Sequence, residues 1–375
     1  MSPRVALLAH STNPRGGVVH AMSLADALHA QGCDAVLHAP DPNGRGFFRG
    51  TIGDSVAFPV AEASPSLAQM VEQRIADYVA WFEPSAHRRF DVYHAHDGIS
   101  ANALLRLRQR GLIAGYARTV HHVDVFADAH VALWERQSIE QADALFTVSA
   151  HWRDRIQAEY GRPATLVGNG VDLDRFDPRP DGREALLRQD LGLEGGPLIL
   201  GLGGVEARKN TLGLLRAFEL LVARLPSARL VIAGGATLLD HGAYVRQFEA
   251  ALAEMKSPRV HRIGPLADAD MPALYRLADV VATPSFNEGF GLSVIEALAT
   301  QKPVVVSRIA PFTDYLAAGE AHWCDPYAPS SIADAISSAL AAPRPSREIA
   351  ARFRWSDVAQ RHLDVYQHLG EAAYA

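Results

Sequence analysis

Two glutamates with seven residues between them, Glu288 and Glu296, lie in the string EGFGLSVIE after the apolar run Val280–Thr283. A carboxylate accepts hydrogen bonds from two neighbouring hydroxyl groups, and glycine-rich loops leave backbone N–H groups open to phosphate oxygens. Glu288 falls in the loop after an expected strand and Glu296 on the following helix, so both can face one cleft. A helix dipole explains a glutamate at the start of the helix, and an exposed helix position explains the other, but neither explains the whole string. The string therefore indicates a site for a ligand rich in hydroxyl and phosphate groups.

Two adjacent cations, Arg208 and Lys209, follow Gly203 in the loop after another apolar run. Parallel α/β sheets bind phosphates at such strand-to-helix loops, and paired cations suit a diphosphate. The alternative is a solvated basic turn in which Asn210 or Thr211 caps the next helix. The glutamate string favours the diphosphate interpretation.

A glycine pair, Gly16 and Gly17, ends the loop after the first apolar run and opens a helix. Bare backbone N–H groups at a helix N-terminus bind anions, although a tight turn without a ligand explains this loop equally well. Neither half of the chain contains the dinucleotide fingerprint GxGxxG, the nearest string being GLGG at 201–204, and no phosphate-binding GxxxxGK[ST] loop occurs. Nicotinamide and P-loop enzymes are therefore disfavoured.

Histidines end two further expected strands: His94 and His96 in one segment, His121 and His122 in the other. All can approach the cleft, with His94 set deeper in its strand. A metal site built from His94, His96 and His121 or His122 is an alternative, but no carboxylate set accompanies them. For His94, which lies further from the cleft, a histidine hydrogen-bonded within the structure is the alternative to a role in the site.

Two Asp-x-Asp strings, 172–174 and 268–270, resemble a known metal-binding signature. Asp270 precedes Met271-Pro272 and suits a helix N-cap, so neither string requires a divalent metal.

Short apolar runs alternate with helix-length amphipathic stretches to about position 325, which predicts an α/β fold with parallel sheets. Helices are expected at 18–30, 67–81 and 355–369. The expected strands are 5–10, 35–39, 91–96, 117–121, 144–148, 165–168, 198–203, 229–233, 260–263, 280–283 and 303–307.

The chain of 375 residues exceeds what one hydrophobic core usually supports. Breaker-rich sequence at 176–196 predicts an interdomain linker and hinge. We expect an N-terminal domain at 1–175, a C-terminal domain at 197–354, and a crossover helix at 355–375 returning to the first domain.

The composition excludes several classes of protein. The net charge is −6, and the sequence shows no cluster of Lys and Arg for nucleic acid. Two distant cysteines, Cys33 and Cys324, exclude a disulfide framework, and the first apolar run is too short for a signal peptide or membrane span. A cytoplasmic protein is expected, and peripheral membrane contact stays open.

Three strings resemble the retaining glycosyltransferases of family 4, also called group 1: the glutamate string, EARKN at 206–210, and NGVD at 169–172 with the FDP that follows at 176–178. The resemblance spans nearly the whole chain. It implies the GT-B architecture, with two facing Rossmann-like domains and parallel sheets flanked by helices. The resemblance also implies that the domain at 1–175 binds the acceptor and the domain at 197–354 binds the nucleotide-sugar donor.

The resemblance also implies roles for the donor-binding residues. In the EX7E element of the family, Glu288 would contact the transferred sugar and Glu296 the nucleotide ribose. Lys209 would bind the diphosphate together with Arg208, because Gly203-Gly204 stands where many members have Gly-Arg. The backbone groups expected near the phosphates belong to Gly16, Gly17, Gly203, Gly289, Phe290, Gly291 and Leu292.

In the other domain, the T-x-H element of the family corresponds to His121, which would approach the donor sugar, with His122 as the alternative. His96 and His122 would line the acceptor side. The implied reaction moves a sugar from a nucleoside diphosphate to a small-molecule, lipid or glycan hydroxyl with retention, without metal or cofactor, in carbohydrate biosynthesis.

Other functions remain open on the same architecture: a nucleotide-sugar epimerase, a phosphorylase, a non-catalytic sugar-nucleotide-binding protein or a nicotinamide oxidoreductase. The sequence does not identify the nucleobase, the sugar, the acceptor or the oligomeric state.

Overall fold

The computed structural model describes residues 3–235, 242–255 and 259–372. Contacts divide the chain into two compact units: unit 1 comprises Met1–Gly170 and Arg354–Ala375, and unit 2 comprises Val171–Phe353. The end of the expected crossover segment, residues 373–375, lies outside the described residues. No helix in the described part is both long and apolar enough to cross a membrane.

Unit 1 is built on a seven-stranded parallel sheet of order β3-β2-β1-β4-β5-β6-β7. Parallel strands need long crossover connections, and helices supply them here except between β2 and β3, which are joined by a loop. The strands are β1 (Val5–Leu8), β2 (Ala35–Asp41), β3 (Ser55–Pro59), β4 (Val92–Ala95), β5 (Ala117–Val120), β6 (Ala144–Thr147) and β7 (Thr165–Leu166). The helices are α1 (Gly16–Ala30), α2 (Leu67–Phe82), α3 (Gly98–Gln109), α4 (Ala129–Glu140), α5 (Ala150–Tyr160) and α14 (Trp355–Ala372).

Helix α14 completes unit 1, as the sequence predicts. It packs against α1, and its Val358, Ala359 and Tyr366 are buried in the same core as β1 residues. The Tyr366 hydroxyl also hydrogen-bonds to Nδ1 of His94 on β4. Because α14 covers apolar surface of this sheet, unit 1 is completed only by the last segment of the chain.

Gly170 lies directly under the first residue of α14. A β-carbon at this position would lie 2.5 Å from the backbone nitrogen of Trp355 and 2.7 Å from its Cγ. We expect Gly170→Ala to destabilise unit 1 by about 1–3 kcal/mol, because overpacking forces the backbone to shift. Urea unfolding checks this, with Gly50→Ala as control, since a β-carbon there meets nothing within 4 Å. Equal stability of the two variants would contradict the prediction.

Unit 2 repeats the design with a six-stranded parallel sheet of order β10-β9-β8-β11-β12-β13. The strands are β8 (Leu198–Leu202), β9 (Arg229–Ala233), β10 (Val260–Gly264), β11 (Val280–Thr283), β12 (Val304–Ser307) and β13 (His322–Cys324). The helices are α6 (Arg183–Asp190), α7 (Thr211–Arg224), α8 (Gly242–Met255), α9 (Met271–Leu277), α10 (Leu292–Ala299), α11 (Phe312–Tyr315), α12 (Pro329–Ala341) and α13 (Glu348–Ala351).

The structure differs from the expected organisation in the segment 176–196, for which the sequence predicts a linker. This segment lies in unit 2 and contains α6. Arg276 of α9 forms ion pairs with Asp181 and Glu184, which attach the segment to that unit. The chain passes between the units at 170–171 and again at 353–354.

Both sheets change winding direction beside their first strand. The chain adds β2 and β3 on one side of β1 and the later strands on the other, and β8 occupies the same position in unit 2. Ligands of open α/β sheets bind at the carboxyl ends of strands beside such a switch point. Ligand sites are therefore expected at the loops after β1 and β4 and at those after β8 and β11.

Candidate functional site

The two cations of the β8 loop and a glutamate of the β11 loop form one group in unit 2, here called the carboxylate–cation cluster: Arg208, Lys209 and Glu288. Lys209 Nζ lies 2.5 Å from Glu288 Oε1, and Arg208 Nη1 lies 3.2 Å from Glu288 Oε2. Ser285 donates a further hydrogen bond of 2.9 Å to Glu288 Oε1. The side chain of Glu288 is only 4% exposed, so these three donors compensate a buried charge.

The cluster keeps Glu288 ionised. Burial alone would raise the pKa of this carboxyl, but Lys209 and Arg208, with the hydrogen bonds from Lys209 and Ser285, lower it to about 2. At neutral pH, Glu288 is therefore a carboxylate that accepts hydrogen bonds and does not donate a proton.

Backbone geometry brings the β8 loop to this carboxylate. Gly203 adopts a φ of 107°, and a β-carbon there would lie 3.0 Å from Lys209 Cε, so the glycine makes room for the lysine stem. Glu206, buried in the same loop, places its Oε1 3.1 Å from Arg208 Nε. No motif in the sequence points to Glu206 or Ser285 as members of the site.

Asn210 joins the loops of the site. Its Nδ2 donates to the carbonyl oxygens of Pro284 (3.0 Å) and Pro326 (2.7 Å), and its φ is 54°. The sequence analysis considered it only as a helix cap, and it does stand at the N-cap of α7, but its side chain makes no capping bond.

We expect Asn210→Ala to destabilise unit 2 by about 3–4 kcal/mol, since two buried carbonyls lose their donor and alanine resists a positive φ. Asn210→Gly should destabilise unit 2 by about 1 kcal/mol less than Asn210→Ala does, because glycine tolerates this φ. Urea unfolding followed by the fluorescence of Trp323, which lies in unit 2, measures both. An alanine variant as stable as the wild type would refute the role of Asn210 in joining the two loops.

The remainder of the glutamate string turns from β11 into α10. Gly291, with a φ of 95°, stands at the N-cap of this helix. Phe290 stacks on Tyr315 with ring centroids 4.6 Å apart, and its carbonyl accepts a hydrogen bond from the Tyr315 hydroxyl. The first N–H groups of a helix suit a phosphate, and α10 begins at Leu292, although the N–H of Val294 donates to the carbonyl oxygen of Gly291. The phosphate-binding role of Gly289–Leu292 stays a prediction.

Glu296 lies on α10 and has a partner of its own. The hydroxyl of Tyr275, on α9, donates a hydrogen bond of 2.5 Å to Glu296 Oε2. The sequence analysis did not single out Tyr275, because its 21-residue separation from Glu296 follows no periodic pattern.

In unit 1, the glycine pair begins α1, as predicted. Gly16 is exposed, whereas Gly17 faces His121: a β-carbon on Gly17 would lie 3.3 Å from His121 Cδ2 and 3.8 Å from the His96 carbonyl oxygen. The structure thus brings together Gly17, His96 and His121, three residues that the sequence places on different loops.

A histidine outside the predicted set completes this group. The His20 ring, on α1, lies 4.8 Å from that of His121 and 5.4 Å from that of His96. His20 Nδ1 lies 2.6 Å from Oδ1 of Asn169, the first residue of the NGVD string. Burial lowers the pKa of His20 to about 4 and holds the pKa values of His96 and His121 well below 6.5, so all three are neutral near pH 7.

The remaining predicted histidines have different surroundings. His94 is fully buried, with Nδ1 bonded to Tyr366 and Nε2 lying 2.8 Å from Thr119 Oγ1, as expected for a structural histidine. His122 Nε2 lies 3.0 Å from Asp124 Oδ2.

The Asp-x-Asp strings have local partners. Asp172 Oδ1 accepts hydrogen bonds from the backbone N–H groups of Asp174 and Arg175, and Asp268 pairs with Arg175. Asp270 stands at the N-cap of α9 without a capping hydrogen bond from its side chain. Over residues 3–235, 242–255 and 259–372, no three His, Cys, Asp or Glu side chains are placed to hold a metal ion.

Comparison with known proteins places these two units in families. A model of glycosyl transferases group 1 matches residues 184–354, and a model of Glycosyltransferase Family 4 matches residues 14–175. The D-inositol 3-phosphate glycosyltransferase of Xylanimonas cellulosilytica is 29% identical, the match covering 97% of this chain and 96% of that protein. The same enzyme of Salinispora arenicola is 32% identical over 59% of this chain and 54% of its own length.

Solved structures share the architecture. Sucrose-phosphate synthase from Thermosynechococcus elongatus superposes with a TM-score of 0.77 at 20% identity, over 98% of this chain and 99% of that one. Anabaena HepE in complex with UDP-glucose gives 0.75 at 17% identity, over 98% and 100% of the respective chains. Two parallel-sheet α/β units of the GT-B type, each matched by a glycosyltransferase family, identify the chain as a glycosyltransferase of group 1, family 4.

Proposed function

We propose that the protein is a retaining glycosyltransferase that needs no metal ion and moves a sugar from a nucleoside diphosphate to an acceptor hydroxyl. The carboxylate–cation cluster is the observation that carries this proposal. It sets two cations against one buried carboxylate at the switch point of unit 2.

The cluster suits the charge that develops during sugar transfer. As the bond to the sugar breaks, negative charge grows on the leaving diphosphate, and cations already in place stabilise it without reorganisation. Lys209 and Arg208 would take this role, assisted by the N–H groups that begin α10 and, from unit 1, those of Gly16 and Gly17. This arrangement removes the need for a bound metal.

Glu288 would hold the transferred sugar. Its pKa of about 2 keeps it ionised, so it accepts hydrogen bonds from sugar hydroxyls. The same low basicity makes it a weak nucleophile, and we assign no covalent intermediate. Retention would instead follow from attack on the face that the diphosphate leaves, with the leaving phosphate receiving the acceptor proton. Glu296 would bind the ribose of the donor.

In unit 1, His121 would approach the donor sugar, and His96 and His122 would line the acceptor side. UDP-sugars are the first donors to test, because HepE is described in complex with UDP-glucose. Inositol 3-phosphate is the first acceptor, since the relatives are D-inositol 3-phosphate glycosyltransferases.

The test is release of nucleoside diphosphate from UDP-, GDP-, ADP- and TDP-sugars, with and without acceptor and with EDTA. We expect one donor to be used, EDTA to have no effect, and Glu288→Ala and Lys209→Ala to abolish release. Arg224→Ala and Asp334→Ala, which break an exposed ion pair in the same unit, are matched controls and should retain activity. NMR of the product gives the anomeric configuration.

Each alternative gives a different result. A requirement for metal would overturn the metal-free mechanism, and an inverted product would overturn retention. An altered sugar still attached to its nucleotide would indicate an epimerase. Transfer of the sugar from a sugar phosphate would indicate a phosphorylase. Donor binding without turnover for any acceptor would indicate a non-catalytic binding protein.

A further inference from the structure

We infer that Tyr275 is a positioning residue for the donor nucleotide: it fixes the carboxylate of Glu296 for the ribose hydroxyl groups. This inference rests on the proposed function, in which Glu296 contacts the ribose. The hydrogen bond of 2.5 Å from the Tyr275 hydroxyl to Glu296 Oε2 carries it.

Tyr275 is held rigidly enough for this role. Its side chain has no exposed surface, and α9 buries Ala273 and Leu274 beside it. A buried phenol costs free energy unless its hydroxyl finds a partner, and phenylalanine would fill the same space without that cost. The hydroxyl is therefore explained by its acceptor, Glu296. Burial and the neighbouring Glu296 raise the pKa of Tyr275 well above 10, so the phenol stays a donor at neutral pH.

The FDP string that follows NGVD supports the tyrosine from the other side. Phe176 meets the Tyr275 ring edge to face, with centroids 5.6 Å apart. Arg175 stacks on Phe176 and pairs at 2.9 Å with Asp268, just before α9. Phe176 belongs to the FDP string, which the sequence links only to a family resemblance. In the structure it supports Tyr275, whose hydroxyl group holds the carboxylate of Glu296.

A fixed carboxylate binds a hydroxyl group more tightly than a mobile one, because less side-chain freedom is lost on binding. Removing the Tyr275 hydroxyl should therefore weaken only those ligands that carry ribose hydroxyls. A purely structural tyrosine would affect ligands with and without these hydroxyls alike.

The experiment is calorimetric titration of the full chain with UDP, GDP and ADP and with their 2′,3′-dideoxy counterparts. For the nucleotide that binds, we expect Tyr275→Phe to raise Kd up to about tenfold, because the freed side chain of Glu296 must then be ordered on binding. The dideoxy form should change less than about twofold. In a Glu296→Gln background, Tyr275→Phe should add little, as in a double-mutant cycle between coupled residues.

Two further variants distinguish the positioning of Glu296 by Tyr275 from a general effect on the stability of the fold. Tyr78→Phe removes a buried tyrosine hydroxyl of unit 1, bonded to the carbonyl of Ala9, and should leave every Kd unchanged. Phe176→Leu keeps the Tyr275 hydroxyl but removes its ring support, and should weaken ribonucleotides only, by about threefold. It provides the same comparison should Tyr275→Phe fold poorly.

Equal weakening of ribo and dideoxy forms by Tyr275→Phe, or no weakening of either, would overturn the inference while leaving the proposed function intact. Absence of binding of every nucleotide to the wild-type chain would overturn the proposed function and this inference with it.

Discussion

Replacing Lys209 with methionine is expected to lower kcat/KM for sugar transfer about a thousandfold. Losing one preorganised donor at a developing negative charge costs about 10²–10³ in rate, and Lys209 is also expected to hold the donor. The measurement is nucleoside diphosphate release at saturating acceptor. Most of the loss should lie in kcat, because charge on the diphosphate peaks in the transition state.

The same replacement should destabilise unit 2 by about 3–5 kcal/mol, because a buried carboxylate loses one of its cations. Lys209 Nζ, at 2.5 Å, is the nearer of the two cations to Glu288. Adding Glu288→Gln to the methionine variant removes the buried charge and should recover most of this stability.

Activity should not return in that double variant, since the donor-binding groups are both gone. A double variant that recovered stability and activity together would show that the cluster is structural only. Arg224→Met, at the exposed partner of Asp334, controls for loss of a cation elsewhere in unit 2.

Unit 1 is expected to unfold in mild acid, with a midpoint between about pH 5 and 6. The cause is a set of buried histidines that the fold keeps neutral. Burial lowers the pKa of His20 to about 4 and those of His38 and His362 to about 3. It also lowers the pKa values of His94, His96 and His121.

The sign follows from proton binding by the two states. Well above pH 6.5, the ordinary histidine pKa, neither state binds a proton at these rings, and stability is complete. Between pH 6.5 and the folded-state value, about 4 for His20, the unfolded chain binds a proton that the folded chain does not. The free energy of unfolding therefore falls as pH falls, by about 2 kcal/mol for each such histidine at pH 5. A few of them are enough to offset the marginal stability of a domain.

Urea unfolding at pH 7.5, 6.5 and 5.5 measures this loss, followed by the tryptophans of unit 1: Trp81, Trp134, Trp152 and Trp355. Neither ring nitrogen of His38 has a hydrogen-bond partner within the described residues. His38→Leu should therefore keep stability at pH 7.5 and reduce the pH slope by about one proton. The exposed His130→Leu should leave the slope unchanged. A pH-independent urea midpoint would contradict the prediction.

The sequence was sufficient to predict the strands at the centres of both sheets. Runs such as Val280–Thr283 and Arg229–Ala233 are apolar and bounded by breakers, and the structure has strands at these residues. It was not sufficient for two edge strands, β3 and β13. β3 has a single buried residue and ends in a proline, and β13 is only three residues long, so neither shows a clear apolar pattern.

For the candidate site, spacing predicted that Glu288 and Glu296 lie at one strand end and that Arg208 and Lys209 lie at the next, and the structure brings three of these four into contact. The partners that hold them were not predictable. His20 and Asn169 are 149 residues apart, and Tyr275 and Glu296 lie on different helices. Such pairs can be inferred only once the sheet order is known, because their spacing follows neither helical nor strand periodicity.

The return of α14 to unit 1 determines the order in which a ribosome can complete the two units. Unit 2 is an uninterrupted stretch, Val171–Phe353, whose ends are joined by a hydrogen bond of 3.0 Å from Val171 N to Phe353 O. It can finish folding while unit 1, although begun first, still lacks its final helix. Unit 2 is thus inserted between two segments of unit 1, so a chimera that exchanges unit 2 between relatives must be joined at both crossings.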